Sequence, residues 1–200
     1  MGTFPTDHNV AEAQLYAHTA QTLSVHDLLL SDEFRNQAFF EALRQCVTSE
    51  SAVLDIGSGT GIWAVMAARL GARKVVAVER DQLLIGLIRR MARENGVEDR
   101  VTVINADSRQ AELEREFDVV VSETIGNVIF EEQIVPIMAD ARERFLKAGG
   151  QLIPAGVTLM VAPAHYPRAE CRQRRCLAAH SRYRQHLHPE CRTCPAASGC

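Results

Sequence analysis

The chain has 200 residues, 46% hydrophobic and 24% charged, with a formal net charge of -3, enough to bury one core of its own. Mild acidity gives no electrostatic case for nucleic acid as the main partner, and no stretch of about 18 apolar residues is present to span a membrane. The opening MGTFPTDHNVAEAQ lacks the basic n-region and apolar h-region of a secretory signal, so the expected location is the cytosol.

Taken in chain order, residues 11–46 read as helix, with apolar positions every three or four residues and Ser31-Asp32-Glu33 as a cap for a second segment. SAVLDIG (51–57) is a short buried strand. GIWAVMAARLG (61–71) is a helix that Gly71 stops. KVVAVE (74–79) is a second strand and DQLLIGLIRRMARENG (81–96) a second helix closed by Asn95-Gly96. VTVINAD (101–107) and FDVVVSE (117–123) are strands three and four. FEEQIVPIMADARERFL (130–146) is a helix, AGG (148–150) a turn, and QLIPAGVTLMVAP (151–163) a further strand pair. Strands alternating with helices predict an α/β fold with a doubly wound, mostly parallel sheet. From Pro163 onward Val, Ile, Phe and Asp disappear, and Arg, His, Cys, Ala and Pro replace them. Cys46 is alone in the body, which predicts a reduced domain without a disulfide framework; Cys171, Cys176, Cys191, Cys194 and Cys200 all fall in the tail.

The chemistry concentrates at DIGSGTG. Gly57, Gly59 and Gly61 follow a strand and open a helix, where glycine permits positive φ and lets backbone N–H groups approach a ligand with no Cβ in between. A pyrophosphate-binding fold needs G-x-G-x-x-G. The spacing here is G-x-G-x-G with Asp55 two residues ahead, which disfavours a nicotinamide-linked dehydrogenase. Glu79 closes the second strand, where a carboxylate accepts both hydroxyls of a ribose; a merely solvated Glu is the alternative. Glu123 closes the fourth strand, at the edge where open α/β sheets bind ligands, and Glu132 follows nine residues later. Two acids on one loop can face a common pocket. The alternative is that both cap or solvate the loop.

The glycine pattern resembles motif I of the class I S-adenosylmethionine (AdoMet) methyltransferases, which implies a Rossmann-like methyltransferase sheet, AdoMet as cofactor and a loop wrapped around its methionine part. Asp107-Ser108 then falls where the adenine is read. SETIGNVIFEEQ resembles the double-glutamate loop of the protein arginine methyltransferases, which implies Glu123 and Glu132 as the catalytic pair. VHDLLLSDEFR resembles that family's I-H-x-x-M-L-x-D-x-x-R segment, a helical lid over the cofactor, which implies His26 beside the cofactor and Arg35 on its carboxylate. Tyr16 matches the first tyrosine of the family's Y-F-x-x-Y motif, and FLKAGGQLIPAGVTL its later proline-rich stretch. The resemblance covers residues 14–162.

Departures from that pattern are specific. Ala20 stands at the second tyrosine, Thr124 and Ile125 replace Trp-Met, Asn127 replaces Tyr, and Arg109 replaces an adenine-reading Glu. No Thr-His-Trp occurs, and the family's β-barrel gives way to the Cys/His/Arg tail. The expectation is therefore a lid over 1–46, an AdoMet-binding domain over 47–162, and a disordered or out-of-frame tail over 163–200. A zinc or iron–sulfur site in the tail is its alternative; no metal ligands are assigned elsewhere. The expected activity is methyl transfer to a protein arginine. The alternatives are another acceptor (a small molecule, a different protein side chain or RNA), or a cofactor-binding remnant without turnover.

Overall fold

A computed structural model of the protein describes residues 7–126 and 131–160, with side chains from residue 14. Its elements are α1 (Asp7–Leu30), α2 (Glu33–Cys46), β1 (Ala52–Ile56), α3 (Ile62–Arg69), β2 (Lys74–Glu79), α4 (Gln82–Glu94), β3 (Val101–Asn105), β4 (Phe117–Val121), α5 (Ile134–Arg144) and β5 (Leu146–Ile153), with a single 3-10 turn at Ser108–Gln110. Internal contacts divide the chain into Met1–Val157 and Thr158–Cys200. The expected tail, 163–200, lies outside the described residues.

The five strands lie in the order β3-β2-β1-β4-β5, and every pairing is parallel. This is the predicted doubly wound sheet. A parallel sheet is covered on both faces, so its strands read as nearly continuous apolar runs. Val53, Val75, Ala77, Val119 and Val121 pack with α2, α3 and α4 through Phe39, Leu43, Trp63, Ile85 and Ile88. Leu54, Val76, Val78 and Val120 face the other way, onto Ile134, Met138, Ala141 and Phe145. Phe39 and Trp63 stack with ring centroids 5.0 Å apart. Thus α2 contributes to the core, whereas α1 leaves Leu15, Tyr16, Leu23 and Leu28 exposed. No described helix is long and apolar enough to cross a membrane.

The break between α1 and α2 falls where the sequence placed it. The Asp32 side chain accepts the Arg35 N–H and starts α2. At the other end the expectation needs correction. The AGG turn and following strand pair are one strand, Leu146–Ile153, and residues 154–160 carry no regular structure. Gly149 and Gly150 are absorbed into an irregularity in the β4–β5 register, between the pairs Phe117↔Leu146 and Val119↔Gln151. A Cβ on Gly150 would lie 2.7 Å from Leu146 Cδ1 and 3.0 Å from the Asp118 carbonyl.

Candidate active site

Parallel register brings the carboxyl ends of the strands to one edge: Ile56 pairs with Val78, Glu79 with Asn105, and Asp55 with Val121. The segments leaving those ends enclose a cavity of about 580 Å³, within the usual range for small-molecule sites. Gly57, Gly59, Glu79, Asp107 and Ser108 line it from the strand ends. His26 and Arg35 line it from α1 and α2, and Glu123 and Glu132 from the segment after β4. Asp55 and Gly61 stand behind this wall.

The glycine loop is held from beneath. Gly57, Gly59 and Gly61 have φ of 67, 55 and 82°. The Gly57 and Ser58 N–H groups donate to the Val78 carbonyl at 2.9 and 3.2 Å. Glu79 secures the loop further: Oε2 accepts the Gly59 N–H and Oε1 the Asp81 N–H, both at 2.8 Å. Each oxygen retains a lone pair for a hydroxyl donor. Asp55, fully buried, accepts the Ala64 N–H at 3.0 Å through Oδ2, joining the loop to the first turn of α3, while its Oδ1 has no partner among the described residues. Burial pushes the Asp55 carboxyl up to about 7.

Helix α1 meets the glycine loop through His26 and the start of α4 through His18. A Cβ on Gly59 would lie 2.7 Å from His26 Cε1, so only glycine allows the imidazole this close. Burial pulls the His26 pKa down, against the opposing fields of Glu79, Asp81 and Glu132. His18 Nε2 lies 3.1 Å from Asp81 Oδ2. Neither member of that pair was singled out from the sequence. The available signal was an eight-residue spacing between His18 and His26, just over two helical turns.

Arg35 and Glu123 meet directly. The Arg35 Nη1 donates to Glu123 Oε2 at 3.0 Å, and Nη2 donates to the Leu29 carbonyl and Asn36 Oδ1. The two side chains are only 18% and 14% exposed. Arg35 Nε is buried without a partner among the described residues. Burial pushes the Glu123 carboxyl up to about 7; the charge of Arg35 opposes this, and that of Glu132 adds to it. Asp107 shows the reverse: bidentate hydrogen bonds from Arg109 hold its carboxyl down at about 2.

The family model for ribosomal protein L11 methyltransferases (PrmA) matches residues 37–162. The chain belongs to this methyltransferase family. Among individual relatives, it is 32% identical over 164 residues to a probable protein arginine N-methyltransferase 6 of Arabidopsis thaliana, covering 81% of this chain and 37% of that one. Among the solved structures that share the fold of this chain are two from arginine methyltransferases. The Trypanosoma brucei PRMT1 enzyme–prozyme complex with AdoHcy superposes with a TM-score of 0.60 at 27% identity, covering 64% of this chain and 41% of that one. Protein arginine methyltransferase 10 of Arabidopsis thaliana gives 0.58 at 34%, covering 62% and 36%. The chain spans about two fifths of the length of the curated relatives it matches.

Proposed function

We propose that the protein is an AdoMet-dependent methyltransferase that acts in the cytosol on an arginine guanidinium of other proteins. The carrying observation is the guanidinium already seated on Glu123: Arg35 donates to it at 3.0 Å, beside Glu132, inside the cavity above the glycine loop. A wall that accommodates one guanidinium has the charge and shape to receive another.

Two features of the cavity fit the cofactor. The glycine loop presents no side chain at Gly57 or Gly59, both at positive φ on the cavity wall, and among the described residues the buried Arg35 Nε lacks an acceptor that a ligand carboxylate supplies. Gly57 and Gly59 would hold the methionine part, Glu79 the ribose hydroxyls, Arg35 the carboxylate, and Asp107 with Ser108 the adenine. Bound AdoMet supplies a methyl group made electrophilic by a sulfonium.

The chain's own residues do the rest. Glu123 and Glu132, both ionised, grip the acceptor guanidinium and fix its plane. Their negative charge draws the acceptor's positive charge toward them and leaves electron density on the attacking nitrogen. The proton lost from the methylated nitrogen passes to a Glu123 carboxylate oxygen, whose proton affinity burial has brought close to neutral pH. His26 and the α1 side chains cover the loop and exclude water.

One observation favours a second acceptor, a side chain other than arginine on a ribosomal protein: the matching family model is that of ribosomal protein L11 methyltransferases. Calorimetric titration with AdoMet, followed by methyl-labelled AdoMet with a cell lysate, tests the proposal. Binding with label on protein arginine supports it. Label on a ribosomal protein at a residue other than arginine supports the second reading, and binding without transfer supports a cofactor-binding remnant.

A further inference from the structure

Gln133, next to Glu132, has φ 60, the one positive value at a non-glycine residue among those described. Left-handed backbone is disfavoured for a residue with a Cβ and persists where surrounding contacts hold it. Gln133 sits at the start of α5 and makes no side-chain capping bond there. Its Oε1 instead accepts from Arg109 Nη1 at 3.2 Å.

Arg109 is itself fixed. Its Nε and Nη2 donate to the two oxygens of Asp107 at 3.0 and 2.8 Å, and its backbone N–H donates to Asp107 Oδ1 at 3.0 Å. This bidentate clamp sets the plane of the guanidinium and leaves Nη1 for Gln133. The far end of α5 is tied to the same segment, since Arg144 donates to the Arg109 carbonyl at 3.1 Å and to the Ala111 carbonyl. Asp107, Arg109, Glu132 and Gln133 all line the cavity at the strand ends.

We infer that Arg109 and Gln133 form a positioning pair: Arg109, locked on Asp107, holds Gln133 in its left-handed turn and thereby aims Glu132 into the cavity. The inference rests on the reading of Glu132 as an acceptor-binding carboxylate. A ligand that orders residues 107–109 sets the Glu132 backbone through the same pair, so the cofactor end of the cavity is coupled to the acceptor end.

The test uses the full chain with Arg109→Gln, Gln133→Gly and the double variant. It reads hydrogen exchange over residues 131–137, AdoMet affinity, and kcat and KM for the acceptor that the lysate assay identifies. Arg109→Gln speeds exchange over 131–137 about fivefold and lowers kcat about tenfold, with AdoMet affinity and acceptor KM within about threefold. Arg109→Lys keeps the charge, loses the fork and does not restore kcat. Gln133→Gly adopts the turn without a Cβ, so adding Arg109→Gln to it lowers kcat by less than about threefold. Unchanged exchange in Arg109→Gln overturns the pair whatever the acceptor proves to be, and a loss of AdoMet affinity with unchanged exchange overturns it in favour of a ligand contact. Faster exchange with turnover intact overturns the role of Glu132, and the inference with it.

Discussion

Glu123 carries the proposal at the scale of single residues. Burial pushes its carboxyl up to about 7, yet only the ionised form grips a guanidinium. Methyl transfer is therefore expected to rise with pH through about 7 and level off above. Glu123→Gln should remove that limb and lower the rate by about tenfold to a thousandfold, with AdoMet affinity little changed. Arg35→Gln withdraws the positive charge that opposes burial, so the limb should move to higher pH. A pH–rate profile of the three proteins decides; a Glu123→Gln enzyme at parental rate removes the double-glutamate mechanism. Asp55 gives a stability prediction instead. Its pKa, about 7 when folded, lies above the ordinary carboxylate value, so the folded state holds a proton that the unfolded state releases. That contribution is fully present below the unfolded pKa and is lost as pH rises to about 7, at up to about 1.4 kcal/mol per unit. Asp55→Asn should flatten this part of the curve; denaturant titrations of both proteins from pH 5 to 8 that run parallel would contradict it.

Elements were more legible than contacts. The glycine loop, β1, β2 and α4 follow from local pattern: an apolar run, three alternate glycines, a second run ending in Glu79, then a helical stretch closed by Asn95-Gly96. The end of β5 lies in the expected strand, but its first part was hidden because Gly149 and Gly150 read as a turn, whereas only the neighbouring β4 shows that the chain passes through an irregular register there. The Arg35–Glu123, His18–Asp81 and Arg109–Gln133 partners are 88, 63 and 24 residues apart, so nothing local announces them. The contact of α1 with the loop yields an element-scale prediction. Gly59→Ala places a Cβ against His26 at φ 55. It should lower AdoMet affinity by at least about tenfold and speed amide exchange in α1. Calorimetry giving parental affinity would mean the loop and the helix do not share the site described here.

At the scale of the molecule, one sheet edge gathers the function. Parallel strands deliver the glycine loop, Glu79, Asp107 and Glu123 to the same side, and α1 and α2 bring His26 and Arg35 over them. All the described residues lining the cavity fall between His18 and Ile137, within the first of the two compact units. The most direct measurement is therefore peptide mapping by tandem mass spectrometry, after the full chain is incubated with AdoMet and an arginine-rich protein. The account predicts methyl groups on arginine side chains with the parent and a sharp loss with Glu123→Gln. No transfer despite AdoMet binding, or methyl groups carried only on other residues, would contradict it.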